Sequence, residues 1–226
     1  MHHTATTAAH RETSRWHAGP LPTNAVIETI LSRSAAKYYD STATLSDDQI
    51  RDLVRIGTSA PTSFHLQNWR FIAVRSPEAK ARLLPIAWNQ PAITEAAVTF
   101  IIIGQLADAS TVPGRLAPVV AAGIMPAHVV PEWEGPARGL YDNHPQRQRD
   151  EAVRSATFGA AAIVYAARSL GLGSTPMIGF DAEAVHREFS LAEDEIPVML
   201  LTVGPERPGN WPQKPRLPVA DVLHFA

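Results

Sequence analysis

The run Ala-Ala-Val-Thr-Phe-Ile-Ile-Ile-Gly at residues 96–104 carries no charge and one hydroxyl. A membrane-spanning helix needs ~20 such residues, so this run is too short to cross a bilayer. Its β-branched and aromatic content reads as a strand buried on both faces. Two further runs have the same character, WRFIAV at 69–74 and IPVMLLTVG at 196–204. A chain of 226 residues with 45% hydrophobic side chains can bury all three in one core.

Helical periodicity surrounds these strands. Val26, Ile27, Ile30 and Leu31 recur at helical spacing, with Thr23 as the expected cap. Ser46 and Gln49 have the spacing of a capping box, ahead of a stripe of Ile50, Leu53 and Val54 that ends at Gly57. Ser76 is placed to cap a short helix bearing Ala79, Leu83 and Leu84. From Asp150 to Leu172 the chain reads as a long Ala-rich helix. Small residues at 156, 159–162, 166 and 167 would let another helix approach it closely. Residues 105–149 hold prolines at 113, 118, 126, 131, 136 and 145. They read as an irregular excursion with room for one short helix, of the kind that forms lids or partner-binding arms. The expected organisation is an N-terminal arm, 1–22, and a single α+β domain, 23–226.

Charge and motifs exclude several functions. A net charge of -2 argues against a dedicated nucleic-acid surface. The absence of cysteine removes disulfides and thiolate chemistry and fits a reducing compartment, so a cytoplasmic protein is expected. The N-terminal segment has no apolar core and is not read as a signal peptide, and no membrane association is expected. The nine histidines show no metal-ligand spacing, so no metal is expected. There is no Walker A sequence, no G-x-S-x-G elbow and no obvious carboxylate pair. GLGSTPMIG at 171–179 has Pro176 at the third glycine position of a dinucleotide fingerprint. Its glycines also follow a helix, so it reads better as a helix cap. With so little acid–base machinery, a bound organic cofactor would have to supply the chemistry.

Five segments then fall into one pattern: RSAAKYYD, APTSFHLQNWRF, AWNQPAITEAA, LGLGSTPMIGF and QKPRLP. In order and spacing they resemble the nitroreductase family of flavoproteins, across about residues 24–220. The resemblance implies a three-layer α-β-α fold with a central, mainly antiparallel sheet, in an intertwined homodimer with FMN at each subunit interface. It implies NADH or NADPH as electron donor and a small electron-poor acceptor, a nitroaromatic or a quinone, reduced in a two-step exchange through flavin N5. No protein side chain is required as the catalytic group. A flavin-fragmenting enzyme of the same superfamily and a non-catalytic FMN carrier or sensor are the alternatives.

Residue by residue, the resemblance implies that Arg33 and Ser34 meet the FMN phosphate and ribityl chain, joined by Lys214 and Arg216 at the phosphate. It implies that Lys37 stands by N1 and O2 and tunes the ring, that Asn89 contacts the ring edge, and that Ile178 and Gly179 pass near N5. A phosphate with nearly two negative charges suits such guanidinium and ammonium groups. Thr62, Ser63, His65 and Gln67 could present hydroxyl, imidazole and amide groups to the polar edge of the ring. A loop that satisfies its own backbone is the alternative for Thr62 and Ser63. Trp133 and Tyr141 are candidates to stack on the acceptor, with ordinary surface or interface packing as the alternative. Ala35 stands where the family has a serine, His65 where it has asparagine, and Asn68 where it has proline. Ala92 occupies a position where some members have lysine.

Overall fold

The computed structural model describes residues 24–226. The expected arm, 1–22, and the expected cap Thr23 lie outside the described residues. In order, the elements are α1 (Ala25–Ser32), α2 (Asp47–Gly57), β1 (Trp69–Val74), α3 (Pro77–Ile86), α4 (Ala92–Glu95), β2 (Val98–Gln105), α5 (Val112–Ala121), α6 (Val130–Tyr141), α7 (Pro145–Ser169), β3 (Gly173–Met177), α8 (Ala182–Glu188) and β4 (Glu195–Gly204). One antiparallel sheet has the order β1-β2-β4-β3.

The charge-free run forms the middle of this sheet, and its alternation sorts the core. Phe100 and Ile102 pack with Leu53 of α2 and with Ala156, Ala160 and Ile163 of α7. Ile101 and Ile103 point the other way, to Leu83, Ile93 and Val185 of α3, α4 and α8. A period of two thus buries β2 from both sides, and the fold is α+β with helices on each face.

Local signals explain several boundaries. Ser46 and Gln49 close the capping box reciprocally, at 3.2 and 2.8 Å. Ser76 caps α3 through the Ala79 N–H. α1 is capped by Asn24, whose carboxamide oxygen accepts from Val26 and Ile27. The small residues of α7 do admit another helix, for α2 crosses at Gly57 and Gly159. A Cβ on Gly57 would lie 2.8 Å from Ile163 Cγ1 and 3.3 Å from the Gly159 carbonyl.

Two expectations need correction. Residues 105–149 are not an irregular excursion, because they contain α5, α6 and the first turn of α7. Their prolines misled the periodicity. Pro113, Pro131 and Pro145 sit in first turns, where the missing N–H has no partner to lose. The long helix accordingly begins at Pro145 and ends at Ser169. Gly171, at φ +75, does follow the helix end as a cap. The residues after it form β3, which the cap reading left out. Pro176 is tolerated there because β3 is an edge strand.

Candidate functional site

After α1 the chain runs extended beside β3. Ala35 bridges Ser174, the Ala36 N–H donates to the Ser174 carbonyl at 3.3 Å, and the Thr175 hydroxyl donates to the Ala36 carbonyl at 2.5 Å. Beneath it Tyr39 is wholly buried, its hydroxyl 2.9 Å from that of Thr202. Burial pushes the Tyr39 phenol above its ordinary pKa and keeps it neutral. After β4 the chain returns along the same segment, where Tyr39 forms a bridge with Glu206.

Between these stretches lies a cavity of about 530 Å³. Arg33, Ser34 and Lys37 line it on one side, and Trp211, Lys214 and Arg216 on another. Ala36, Ala92 and Met177 supply apolar wall, with Gln90 and Thr175 as uncharged polar groups. Lys37 and Lys214 both approach the Trp211 ring, at 5.8 and 5.5 Å from its centroid. Four cations therefore face one carboxylate, that of Glu95, which already accepts from the Tyr39 N–H and pairs with Arg207. The excess of positive charge suits an anion, and the volume falls within the ~300–1,000 Å³ of small-molecule pockets. Among the described residues no group of acidic or histidine side chains could hold a metal ion, and no helix is long and apolar enough to cross a membrane.

A family model described as the nitroreductase family matches residues 30–205. The chain belongs to the nitroreductase family. "Putative NAD(P)H nitroreductase YodC" of Bacillus subtilis is 30% identical over 197 residues, covering 87% of this chain and 96% of the relative. "Protein DrgA" of Synechocystis is 29% identical over 189 residues, covering 84% and 87%. Among solved structures, one described as a "putative nitroreductase in complex with FMN", from Exiguobacterium sibiricum, superposes with a TM-score of 0.82 at 25% identity, covering 91% of this chain and 98% of that one.

Within this nitroreductase chain the motif residues divide into groups. Arg33, Ser34, Lys37, Lys214 and Arg216 come together at the cavity, although nearly 180 residues separate the two sets in sequence. Ala35 and Ala92 line it too. Asn89, Ile178 and Gly179 lie at its margin rather than on its wall. Gln90, which is on the wall, donates to the Gly179 carbonyl at 2.8 Å. Ile178 is 82% exposed, and Gly179 packs against the Trp88 ring.

Thr62, Ser63, His65 and Gln67 lie away from the cavity, on a short 3-10 turn (Ser63–His65) beside α5 and α6. Here Thr62 accepts from the Gln67 N–H at 3.0 Å, and the Gln67 amide meets the His65 ring at 2.8 Å. Ser63 accepts from the Tyr141 hydroxyl at 2.9 Å. Local bonding is thus realised for Thr62, whereas the Ser63 hydroxyl bonds a side chain 78 residues away in sequence. The turn is nonetheless strained, for Phe64, His65 and Gln67 all have positive φ, between 46 and 57. Trp88 and Asn89 share that conformation. Tyr141 is buried and Trp133 partly so, packed with Leu66, Val112 and Leu116. Asn68 anchors its loop by donating to the Gln105 carbonyl at 2.8 Å, a bond proline could not make.

Trp211, Gln90, Thr175 and Met177 line the cavity and were not anticipated. Trp211 had one signal, an aromatic residue set among prolines.

Proposed function

We propose that the chain binds FMN in this cavity and, as a homodimer, passes electrons from NADH or NADPH to an electron-poor small molecule such as a nitroaromatic or quinone. The observation that carries the reading is the convergence of Arg33, Lys37, Lys214 and Arg216 on one partly apolar cavity. FMN has an anionic end and a flat aromatic end, so the donor set and the apolar wall both fit it. The FMN complex of the Exiguobacterium sibiricum relative supports the choice of cofactor, and the Bacillus subtilis relative's name supports the nicotinamide donor.

The residues divide the work by chemistry. Arg33, Lys214 and Arg216 would neutralise the phosphate, and the Ser34 hydroxyl would hydrogen-bond it or the ribityl chain. Lys37 would set the electrostatic potential of the cavity, and Ala36, Ala92 and Met177 would exclude water from one face. Bound FMN would supply the two-electron chemistry, leaving the protein to position donor and acceptor in turn.

A homodimer accounts for the residues that one chain keeps apart. The turn at 62–67 would complete a site whose phosphate end belongs to the other subunit. Large apolar side chains lie exposed on α1 (Val26, Ile30, Leu31), on α7 (Phe158, Tyr165) and along the tail (Leu217, Val222, Phe225). Surfaces of that kind ordinarily meet a partner. We take residues 23–226 as one flavin-binding unit, at work in the cytoplasm.

The deciding experiment is to denature the purified protein, identify the released flavin, and titrate the native protein anaerobically with NADH and NADPH before adding acceptors. FMN release, bleaching by a nicotinamide and recovery with a quinone or nitroaromatic support the reading. A protein that neither contains nor takes up FMN overturns it.

A further inference from the structure

The tail that carries Lys214 and Arg216 is tied to the segment that carries Arg33 and Lys37 by one carboxamide. Asn210 Oδ1 accepts the N–H groups of Lys37 at 2.8 Å and Tyr38 at 2.9 Å. Its Nδ2 donates to the Tyr38 carbonyl and to Glu206 Oε2, both at 2.9 Å. Both ends of the side chain are thus engaged, on backbone as far as 173 residues earlier in the chain. The surroundings reinforce the clasp. The Asp40 N–H donates to the Pro205 carbonyl at 2.9 Å, and the Arg207 guanidinium stacks 4.6 Å from the Tyr38 ring centroid. Gly209, at φ +108, turns the chain against that ring in a conformation costly for other residues.

Beyond Asn210 the tail changes character. Among the described residues, none from 211 to 226 makes a hydrogen bond or ion pair to the body of the protein. Arg216 bonds only Gln213, and the backbone bonds of 218–223 are local. Lys214 and Arg216 follow the last hydrogen-bonded anchor by four and six residues. Freed at that anchor, the tail would have many conformations to lose on meeting a ligand, and ordering it would cost affinity.

We propose that Asn210 is the positioning residue of this site, fixing where the basic tail meets the Arg33–Lys37 segment and so setting the preference for a flavin that bears a phosphate. The proposal rests on the flavin reading above. It differs from a general stabilising role in one respect. The ring system without phosphate, riboflavin, has nothing for Lys214 and Arg216 to hold, so its affinity should be insensitive to Asn210.

The test measures FMN and riboflavin affinity of the full-length, flavin-stripped protein and of three variants. Asn210→Ala should weaken FMN about tenfold, about 1.4 kcal/mol, and riboflavin less than about twofold. Asn210→Asp retains both acceptor bonds but sets a carboxylate oxygen against Glu206 and the Tyr38 carbonyl, and should lose the preference for FMN similarly. Adding Glu206→Gln gives a donor to that carboxylate and restores the wild-type net charge, while the bond to the Tyr38 carbonyl stays lost, so Asn210→Asp/Glu206→Gln should recover part of the preference. Should Asn210→Ala fail to fold by circular dichroism, the double variant decides alone. FMN and riboflavin weakening in parallel, unchanged FMN affinity in Asn210→Ala, or no recovery in the double variant each overturn the proposal. Wild-type protein that binds neither flavin overturns the flavin reading itself, and the proposal with it.

Discussion

Arg70 and Glu195 join the outer strand β1 to β4 across the strand between them. Arg70 Nε lies 2.6 Å from Glu195 Oε1 and Nη2 2.5 Å from Oε2, a two-pronged pair. The Glu195 side chain is only 4% exposed, and its Oε2 also accepts the Ala192 N–H at 2.9 Å. The Arg70 guanidinium holds this carboxyl below its ordinary pKa of 4.5, against the opposing effect of burial. A folded-state pKa that is lowered gives stability above the unfolded pKa, lost as pH falls through the folded one. Glu195→Gln should lower unfolding free energy at pH 7 by about 1–2 kcal/mol, less than for a fully buried pair because Arg70 remains partly in water. Urea titrations should show the gap to wild type narrowing below about pH 4.5. A gap independent of pH would mean that packing, not charge, holds the two strands here.

Gly104 of β2 packs directly against the backbone of Ala152 in α7. A Cβ there would fall 2.3 Å from the Ala152 carbonyl oxygen and 2.6 Å from its carbon, both backbone atoms that cannot swing aside. Gly104→Ala should therefore destabilise the protein by about 1–3 kcal/mol or more, as overpacked cores do. Gly139, exposed in α6, would meet nothing within 4 Å. Gly139→Ala should instead stabilise by up to about 1 kcal/mol, through helix propensity. Thermal or urea unfolding of the two variants checks the opposite signs.

How much of this was legible depended on whether a signal was local. The three strands that sequence reading found are continuous apolar runs, and the capping box of Ser46 and Gln49 is self-contained, so both could be read without a fold. β3 could not, because Gly173 and Pro176 weaken its pattern and its place at the sheet edge excuses them. α5 and α6 were hidden by prolines that break helices only when they fall past the first turn; Pro118 and Pro136, inside the helices, show that packing can override even that rule. At the site, Arg33, Lys37, Lys214 and Arg216 were legible through family motifs. Asn210 and Gln90 were not, for each acts by bonding backbone far away in sequence, at Lys37 and Gly179.

On the flavin reading, Lys214 and Arg216 bind by charge. Neither has an ion-pair partner among the described residues, so both remain available to a phosphate. Hydrogen bonds to charged groups are worth about 1.5–3 kcal/mol each, so Lys214→Ala/Arg216→Ala should weaken FMN at least tenfold. Its affinity should also depend less on salt than that of the wild type. Fluorescence titration of FMN at several salt concentrations gives both quantities. Equal salt dependence in the two proteins would place the phosphate elsewhere.

Lys37 should act on electron transfer more than on affinity. Its ammonium lies 5.1 Å from the Tyr38 ring centroid and 5.8 Å from that of Trp211, at the cavity wall and exposed. Neither ring removes its charge, which stays available to whatever fills the cavity. Reduced FMN is more negative than oxidised FMN, so a nearby cation favours the reduced form. A unit charge about 4 Å away at an effective dielectric near 20 contributes roughly 4 kcal/mol, and exposure reduces this to about 2 kcal/mol. In a two-electron couple about 1.4 kcal/mol corresponds to about 30 mV. Lys37→Met should thus lower the flavin midpoint potential by roughly 40 mV and slow reduction by the nicotinamide. FMN affinity should fall less than in Lys214→Ala/Arg216→Ala. Spectroelectrochemistry of the FMN-loaded variant provides the check: an unchanged midpoint would put Lys37 away from the ring, leaving it a role at the phosphate or none.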